Sequence, residues 1–214
     1  MFDGFSPETI DFLWGIRMNN NRDWFLANKH IYTDRLYEPM KALGQALFAP
    51  YQEEPGMILK VSRIYRDARL HHPDPYKESL WLTLRQVGGD WMTAPCLFFD
   101  IRPEGGSYGF GVWKLPTASM EQFRRDIAEN PEPFLRMIEQ VEADTGCPIT
   151  AECYKRPKPC PDPRLERFYA WKGDICCLKE TGVGEELFDP DLPETVGDMF
   201  AKLMPLYHFF LRYT

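Results

Sequence analysis

Four strand-like stretches joined by short connections constrain the fold of this chain more than any other feature of its sequence. Turn-forming residues such as Gly88-Gly89 and Glu104-Gly105-Gly106 separate them. Parallel strands need long crossover connections, usually helical, and these connections are too short for crossover helices. The pattern therefore predicts an antiparallel meander with strands at Met57–Tyr65, Leu80–Val87, Pro95–Arg102 and Tyr108–Leu115.

Helical patterns precede this central run. Ser6 and Pro7 are typical of a helix N-cap and first helical position, and they predict a helix with an apolar stripe of Ile10, Leu13 and Trp14. A run of three asparagines, Asn19 to Asn21, ends that helix and caps the next one. A second helix begins near Arg22, with a buried face of Phe25, Tyr32, Leu36, Leu43 and Leu47. Pro39 lacks a backbone donor, so a kink or break is expected just before it.

Helical and strand patterns alternate after the meander. Helices are predicted at about Ser119–Glu129 and Pro131–Asp144, the second with an apolar stripe of Phe134, Met137, Ile138 and Val141. Short strands are predicted near Ile149–Tyr154 and Asp174–Glu180. The chain ends in a helix whose core-facing residues are Val196, Met199, Phe200, Leu203 and Phe210. Helices that precede and follow the strands along the chain, packed against an antiparallel sheet of about five or six strands, predict an α+β fold. Residues 1–214 are expected to form a single domain.

The composition sets the broad class of protein. Hydrophobic residues make up 44% of the 214 residues and aromatic residues 14%, which is enough for a packed core. The formal net charge of -7 repels phosphate backbones at long range, so general nucleic-acid binding is disfavoured. No apolar run approaches the ~20 residues that span a bilayer, and the N-terminus has no signal-peptide pattern. These features predict a cytoplasmic protein that does not contact the membrane.

The cysteines point to no metal or redox chemistry. There are six of them, and no C-x-x-C pair, so the usual spacings for zinc ligation and disulfide exchange are missing. Reduced, mostly buried thiols are expected, as in cytosolic proteins. A zinc site from Cys147, Cys153 and Cys160 is disfavoured, and we predict no metal and no cofactor.

The densest polar cluster is the segment K-V-S-R-I-Y-R-D-A-R-L-H-H-P-D-P-Y-K-E, which begins at Lys60. Guanidinium groups bind carboxylates and phosphates through paired hydrogen bonds. The segment therefore predicts a site for a small anionic ligand, such as a phosphorylated compound, formed by Arg63, Arg66, Asp67, Arg69, Tyr76 and Lys77. In this hypothesis Arg63 and Arg66 grip the anion and Asp67 orients them. Tyr76 donates a hydrogen bond, and Lys77 or a histidine carries any proton.

Two local conformations of this segment remain open. A continuing strand would place Arg63, Tyr65, Asp67 and Arg69 on one face with Leu59 and Val61. The charges would then lie at the end of an apolar face, where burial requires pairing. A helix would instead group Arg63, Arg66, Asp67 and Leu70. A purely structural arginine–aspartate network is as well supported as an anion site, because perturbed charge clusters occur in both.

A proline-rich basic stretch, Y-K-R-P-K-P-C-P-D-P-R, predicts an extended loop. Lys155 and Arg156 in this loop are candidates for a second wall of the same site. An alternative is a non-enzymatic module that contacts protein or nucleic acid through Lys60–Arg69 and Lys155–Arg164. Carboxylates interspersed with these basic residues favour the small ligand, because they would repel a polyanion. No standard catalytic motif is present, so the sequence leaves open both enzymatic activity and oligomeric state.

The same residues resemble a bacterial family, the domain of unknown function 2461 family. Its signature is R-x-x-R-D-x-R-F, then a short spacer with an Asp/Asn-Lys pair, then a tyrosine in a P-Y-K context. The matching residues here are Arg63, Arg66, Asp67, Arg69, Pro75, Tyr76 and Lys77. The similarity extends over nearly the whole chain and includes the N-N-x-R-D-W-F opening with Lys29 and Tyr32, Gly109–Trp113, Arg124 and Pro205–Leu211. Arg124 and Trp113 thereby join Lys155 and Arg156 as candidates for the second wall.

This chain departs from the family pattern in three ways. Leu70 stands where the family has phenylalanine, the spacer is one residue short, and the lysine of the Asp/Asn-Lys pair is missing. Any role that needs this lysine is therefore in doubt. The resemblance implies a bacterial origin and a whole-chain domain. It implies no activity, because none is established for the family.

Overall fold

The computed structural model describes residues 2–67, 69, 73–88, 90, 92–156 and 158–214. Four residues of the arginine-rich segment, Ala68, Leu70, His71 and His72, lie outside the described residues. The predicted proton-carrying role of a histidine there and the helical grouping with Leu70 therefore stay predictions. Gly89 of the predicted turn and Pro157 of the basic loop also lie outside.

The N-terminal helices follow the sequence signals closely. Helix α1 spans Pro7–Met18 and helix α2 spans Arg22–Ile31, with the Asn21 side chain as its N-cap accepting a 3.0 Å hydrogen bond from the Trp24 backbone. A π-helical segment, Tyr32–Tyr37, leads into α3 at Glu38–Phe48. Pro39 lies at the second position of α3. The kink or break expected before this proline is thus a widened, π-helical turn. This turn accommodates the backbone hydrogen bond that proline cannot donate.

The predicted apolar faces of these helices are confirmed with one exception. Ile10 and Leu13 are buried, and so is the whole predicted stripe of Phe25, Tyr32, Leu36, Leu43 and Leu47. The predicted burial of Trp14 is wrong, because its side chain is 39% exposed. The Trp14 ring lies beneath the Arg17 guanidinium, 4.9 Å from the ring centre. Phe12 occupies the core instead and packs against the Trp24 ring at a centroid distance of 5.6 Å.

Six strands form one antiparallel sheet, so the predicted meander and the α+β fold are confirmed. The strands are β1 (Met57–Val61), β2 (Leu80–Gln86), β3 (Cys96–Arg102), β4 (Gly105–Val112), β5 (Thr150–Cys153) and β6 (Trp171–Gly182). They lie side by side in the order β1-β2-β3-β4-β6-β5. The long strand β6 pairs with β5 in the register Thr150↔Cys176. Alternate residues of β2 and β3 are buried, as expected for strands with one face against the core, whereas β4 is buried at nearly every position.

The remaining helices are α4 (Thr117–Glu129), α5 (Pro131–Thr145), α6 (Glu166–Tyr169), α7 (Glu185–Phe188) and α8 (Leu192–Leu211). The predicted buried faces of α5 and α8 are confirmed except at Met137, which is partly exposed. Helices α6 and α7 have no counterpart among the elements predicted from the sequence. Each is a single turn of four residues, too short to produce a readable hydrophobic period.

The chain divides into two compact units. Unit 1 consists of Met1–Leu84, Phe98–Tyr108 and Glu180–Gly197. Unit 2 consists of Arg85–Leu97, Gly109–Lys179 and Asp198–Thr214. A single domain over residues 1–214 stays a prediction.

All six cysteines are free thiols. Fewer of these thiols are buried than expected. Of the six, Cys177 alone is fully buried, and Cys153 is exposed. Burial raises the pKa of Cys177 to about 11, so this thiol is protonated and unreactive at neutral pH. Among the helices of the described residues, none is both long enough and apolar enough to cross a membrane.

Asp100, on strand β3 in unit 1, has a largely buried carboxyl group. Its side chain is 21% exposed, and the Ser107 hydroxyl donates a hydrogen bond to it. Burial raises the pKa of Asp100, and this effect outweighs the lowering by Ser107 and by the Arg102 guanidinium. The ionised carboxylate is therefore a destabilising element of the native state at neutral pH.

Asp100→Asn is expected to stabilise the protein at pH 7 and to lose this advantage as the pH falls. The folded pKa lies above the unfolded value of about 3.9, so the native state binds the proton more tightly. The penalty is complete above the folded pKa and disappears below the unfolded pKa. Urea unfolding between pH 4 and pH 7 measures the difference, with the exposed Asp11→Asn as the matched control. A stability difference that does not change with pH would contradict this account.

Candidate functional site

The arginine-rich segment continues the β1–β2 hairpin as two irregular antiparallel arms within unit 1. Backbone bonds run from Ser62 N–H to the Trp81 carbonyl at 2.8 Å and from Lys77 N–H to the Ile64 carbonyl at 2.7 Å. Tyr65 and Tyr76 face each other as an isolated antiparallel bridge. The R-x-x-R-D and P-Y-K parts of the signature therefore lie on opposite arms of one hairpin. Regular strand ends at Val61, so the continuing strand proposed from sequence is wrong.

Buried and exposed residues alternate along the first arm, but the residues that were expected to be buried are the exposed ones. Ser62 and Ile64 are buried, at 3% and 0% exposed, whereas Arg63, Tyr65 and Asp67 are exposed. The charged residues therefore do not lie at the end of a buried apolar face, and their pairing is not forced by burial. An exposed guanidinium such as that of Arg63 remains accessible to a ligand.

Asn20, in the asparagine run before α2, holds the second arm in place. Its side-chain amide donates to the Tyr76 carbonyl at 2.9 Å and accepts from the Tyr76 N–H at 3.0 Å. The Asn20 side chain thus pairs with the backbone of Tyr76 as a neighbouring strand would. The sequence predicts only helix capping for the asparagine run. The asparagine run and the P-Y-K arm both belong to the family resemblance, and this shared membership is the sequence signal that links them.

Three tyrosine rings surround Phe25, which is 1% exposed and forms an apolar floor. The Phe25 ring is 4.3 Å from Tyr76, 5.6 Å from Tyr32 and 5.7 Å from Tyr65 between centroids. Tyr32 and Tyr76 are buried, whereas Tyr65 is 51% exposed. Burial raises the pKa of Tyr32 to about 12 and also raises the pKa of Tyr76. Both phenols therefore stay protonated at neutral pH and can donate hydrogen bonds.

Two arginines flank these rings. The charge of Arg63 acts on the Tyr32 phenol, and the charge of Arg22 acts on the Tyr76 phenol. Within the described ranges, neither guanidinium has a carboxylate oxygen within 4.0 Å. We call the surface formed by Arg22, Tyr32, Arg63, Tyr65 and Tyr76 the tyrosine–arginine face.

A second basic group forms around Arg66 and Lys77. The Lys77 ammonium donates to the Arg63 carbonyl at 2.8 Å and lies 5.6 Å from the centre of the Trp81 ring. Partial burial and the nearby charge of Arg66 lower the pKa of Lys77. The guanidinium of Arg66 is 3.9 Å from Glu78, a loose ion pair. Of the predicted set, the structure thus brings these two cations together.

The acidic residues near these cations have partners of their own. Glu78 accepts a 2.6 Å hydrogen bond from Arg17, which also pairs with Glu104. Asp67 accepts from the backbone N–H and from Nε of Arg69, both at 3.0 Å, and so closes a local turn. The expectation that Asp67 pairs with a neighbouring arginine is confirmed for Arg69. That Asp67 orients Arg63 and Arg66 stays a prediction.

The candidates for a second wall all belong to unit 2. Arg124 is 4% exposed and donates to the carbonyls of Tyr169, Met120 and Trp171 at 3.3, 3.2 and 2.5 Å. Trp113 is 69% exposed, and Lys155 and Arg156 are exposed. The guanidinium of Arg124 therefore binds backbone carbonyls of its own unit. That these four residues form a second wall of the anion site stays a prediction.

In the part of the chain that the structure describes, no group of three or more His, Cys, Asp or Glu side chains is arranged to hold a metal ion.

The model of the family described as "Conserved hypothetical protein (DUF2461)" matches residues 8–209 of the chain. The chain belongs to this family. The resemblance seen in the sequence is thereby confirmed, and the matched range contains every residue of the tyrosine–arginine face and of the hairpin. No curated protein matches the chain significantly. Membership in DUF2461 brings no activity with it, so the function of this protein has to be argued from its side chains.

Proposed function

We propose that this DUF2461 protein binds a small anionic ligand, such as a phosphorylated compound, at the tyrosine–arginine face. One observation carries the proposal. Arg22 and Arg63 flank clustered tyrosines, and neither has a carboxylate within 4.0 Å among the described residues. A guanidinium without a carboxylate partner keeps its paired donors open to the oxygens of an anionic ligand.

The chemistry of the face suits an oxyanion. Guanidinium groups offer paired donors to phosphate or carboxylate oxygens. The phenols of Tyr32 and Tyr76 add neutral donors that do not compete as anions, because burial raises the pKa of each. Arg63 and Tyr76 are retained from the site predicted by sequence. Arg22, Tyr32 and Tyr65 replace Arg66, Arg69 and Lys77 around this ligand.

A thermal-shift screen of phosphate, pyrophosphate, nucleotides and dicarboxylates tests the proposal. A ligand that binds only the native state and is present at 100 times its Kd stabilises it by about 2.7 kcal/mol. Arg63→Gln is expected to weaken binding about tenfold to a hundredfold, because a hydrogen bond to a charged group contributes about 1.5–3 kcal/mol. Isothermal calorimetry measures this change.

Arg69→Gln is the matched control on the same hairpin. Its side chain is 87% exposed and pairs with Asp67, and it lies outside the face. The variant is expected to bind as the native protein does. Equal losses in Arg63→Gln and Arg69→Gln would contradict the assignment, and so would the failure of every anion at millimolar concentration.

The half-exposed ring of Tyr65 favours one alternative, stacking of a nucleic-acid base beside the arginines. A nucleic-acid interaction module would bind oligonucleotides with an affinity that falls steeply with added salt. Small anions would then produce no thermal shift. The same screen, with a single-stranded oligonucleotide added, separates these two functions.

A further inference from the structure

A groove of about 370 Å³ lies on unit 2 between the first half of α5 and the C-terminal half of α8, and we call it the α5–α8 groove. Its volume is within the range of small-molecule sites, about 300–1,000 Å³. The apolar part of its lining consists of Pro133, Phe134, Met137, Pro205 and Phe209. The groove therefore offers an apolar surface to a ligand.

Part of this apolar surface is left open by the packing of the two helices. Met137 belongs to the apolar stripe of α5, yet its side chain is partly exposed. Phe209 is also partly exposed, although its ring packs against that of Phe134 at a centroid distance of 5.1 Å. An apolar chain that covers these side chains gains about fourfold in affinity for each buried methylene.

Arg212 brings a positive charge to the edge of the groove. Its Nε–H donates to the Phe209 carbonyl at 3.2 Å, and its guanidinium lies 4.4 Å from the centre of the Phe209 ring. Both contacts hold the guanidinium beside the apolar lining. Among the described residues, the two terminal nitrogens of Arg212 have neither a hydrogen-bond acceptor nor a carboxylate oxygen within 4.0 Å. These nitrogens are therefore open to a ligand.

The charges that line the groove select the sign of this ligand. A second groove, on unit 1, shows the opposite case, because Arg35 shares its lining with the carboxylates of Asp3, Asp34 and Glu38. In the α5–α8 groove, none of the described lining residues carries a carboxylate. An anionic head group would therefore meet the Arg212 guanidinium without a competing acid in the lining.

We propose that the α5–α8 groove binds a small monocarboxylate with an apolar tail, such as a medium-chain fatty acid. The carboxylate accepts paired hydrogen bonds from the terminal nitrogens of Arg212, and the tail lies over Met137 and Phe209. The groove belongs to unit 2, whereas every residue of the tyrosine–arginine face belongs to unit 1. The two proposals can therefore fail independently.

Chemical-shift titration of the full chain, labelled with ¹⁵N, tests the proposal with four probes: butanoate, hexanoate, octanoate and the uncharged hexanamide. The affinity is expected to rise about sixteenfold from hexanoate to octanoate, which differ by two methylenes. Hexanamide is expected to bind about tenfold more weakly than hexanoate, because a hydrogen bond to a charged group is the stronger one. Failure of octanoate to bind at millimolar concentration would overturn the proposal. Equal affinities for hexanoate and hexanamide, or for butanoate and octanoate, would do the same.

Three variants locate the site. Arg212→Gln is expected to weaken octanoate binding about tenfold and to remove the preference for hexanoate over hexanamide. Arg136→Gln is the matched control, an exposed arginine of α5 that does not line the groove, and its octanoate affinity should match that of the native chain. Arg63→Gln, which tests the tyrosine–arginine face, should also bind octanoate normally. Equal losses in Arg212→Gln and Arg136→Gln would contradict the assignment, and the probe comparisons in the native chain decide the matter even if Arg212→Gln does not fold.

Discussion

Replacing Arg124 with methionine is expected to destabilise the protein by about 3 kcal/mol or more. The guanidinium is 4% exposed and donates to the carbonyls of Tyr169, Met120 and Trp171. Methionine fills a similar volume and donates nothing. Each buried carbonyl left without a donor costs about 1–3 kcal/mol. Urea unfolding followed by circular dichroism measures the loss.

Arg125→Met is a control at the next position of α4. Arg125 is exposed and donates a local hydrogen bond to the Gln122 side chain at 2.7 Å. Surface substitutions of this kind usually change stability by less than about 0.5 kcal/mol. If the two variants unfolded at the same urea concentration, the carbonyl bonds of Arg124 would contribute nothing to the stability of unit 2.

Gly109→Ala is expected to cost about 4 kcal/mol or more, or to prevent folding. Gly109 lies in β4 with φ +155°, a conformation that residues with a side chain rarely adopt. A Cβ placed there would lie 2.2 Å from the Cys177 carbonyl oxygen and 2.7 Å from the Leu178 Cα. Both are backbone atoms of the neighbouring strand β6, so no side-chain rotation can relieve the clash. The strands would have to separate.

Gly182→Ala provides the comparison within the sheet. A Cβ at Gly182, the last residue of β6, would meet no atom within 4 Å. We expect this variant to melt within a few degrees of the native protein, since a 1 kcal/mol change corresponds to about 2–4 °C in a chain of this size. Soluble yield and thermal melting of both variants decide the matter. A native-like melting temperature for Gly109→Ala would show that β4 and β6 are not held as closely as described.

Sequence alone determined the longer local elements and the fold class. Apolar residues recur at helical spacing in α2, α3, α5 and α8, and that recurrence depends only on which face of a helix meets the core. Asn21 and Pro7 mark helix starts because their chemistry acts within one turn. The short connections restricted the meander to antiparallel pairing. Family membership could likewise be seen in the order of residues along the chain.

Tertiary structure alone decided which residues of the candidate site meet. Alternation along the hairpin arm placed Ser62 and Ile64 inside, and this turned Arg63 and Tyr65 outward. Asn20 reaches Tyr76 across 56 positions of sequence, and Arg124 meets the Trp171 carbonyl across 47. These partners are joined by contacts between elements that are far apart in the chain. No period or local spacing encodes such contacts, because they depend on how the helices and the hairpin pack in three dimensions.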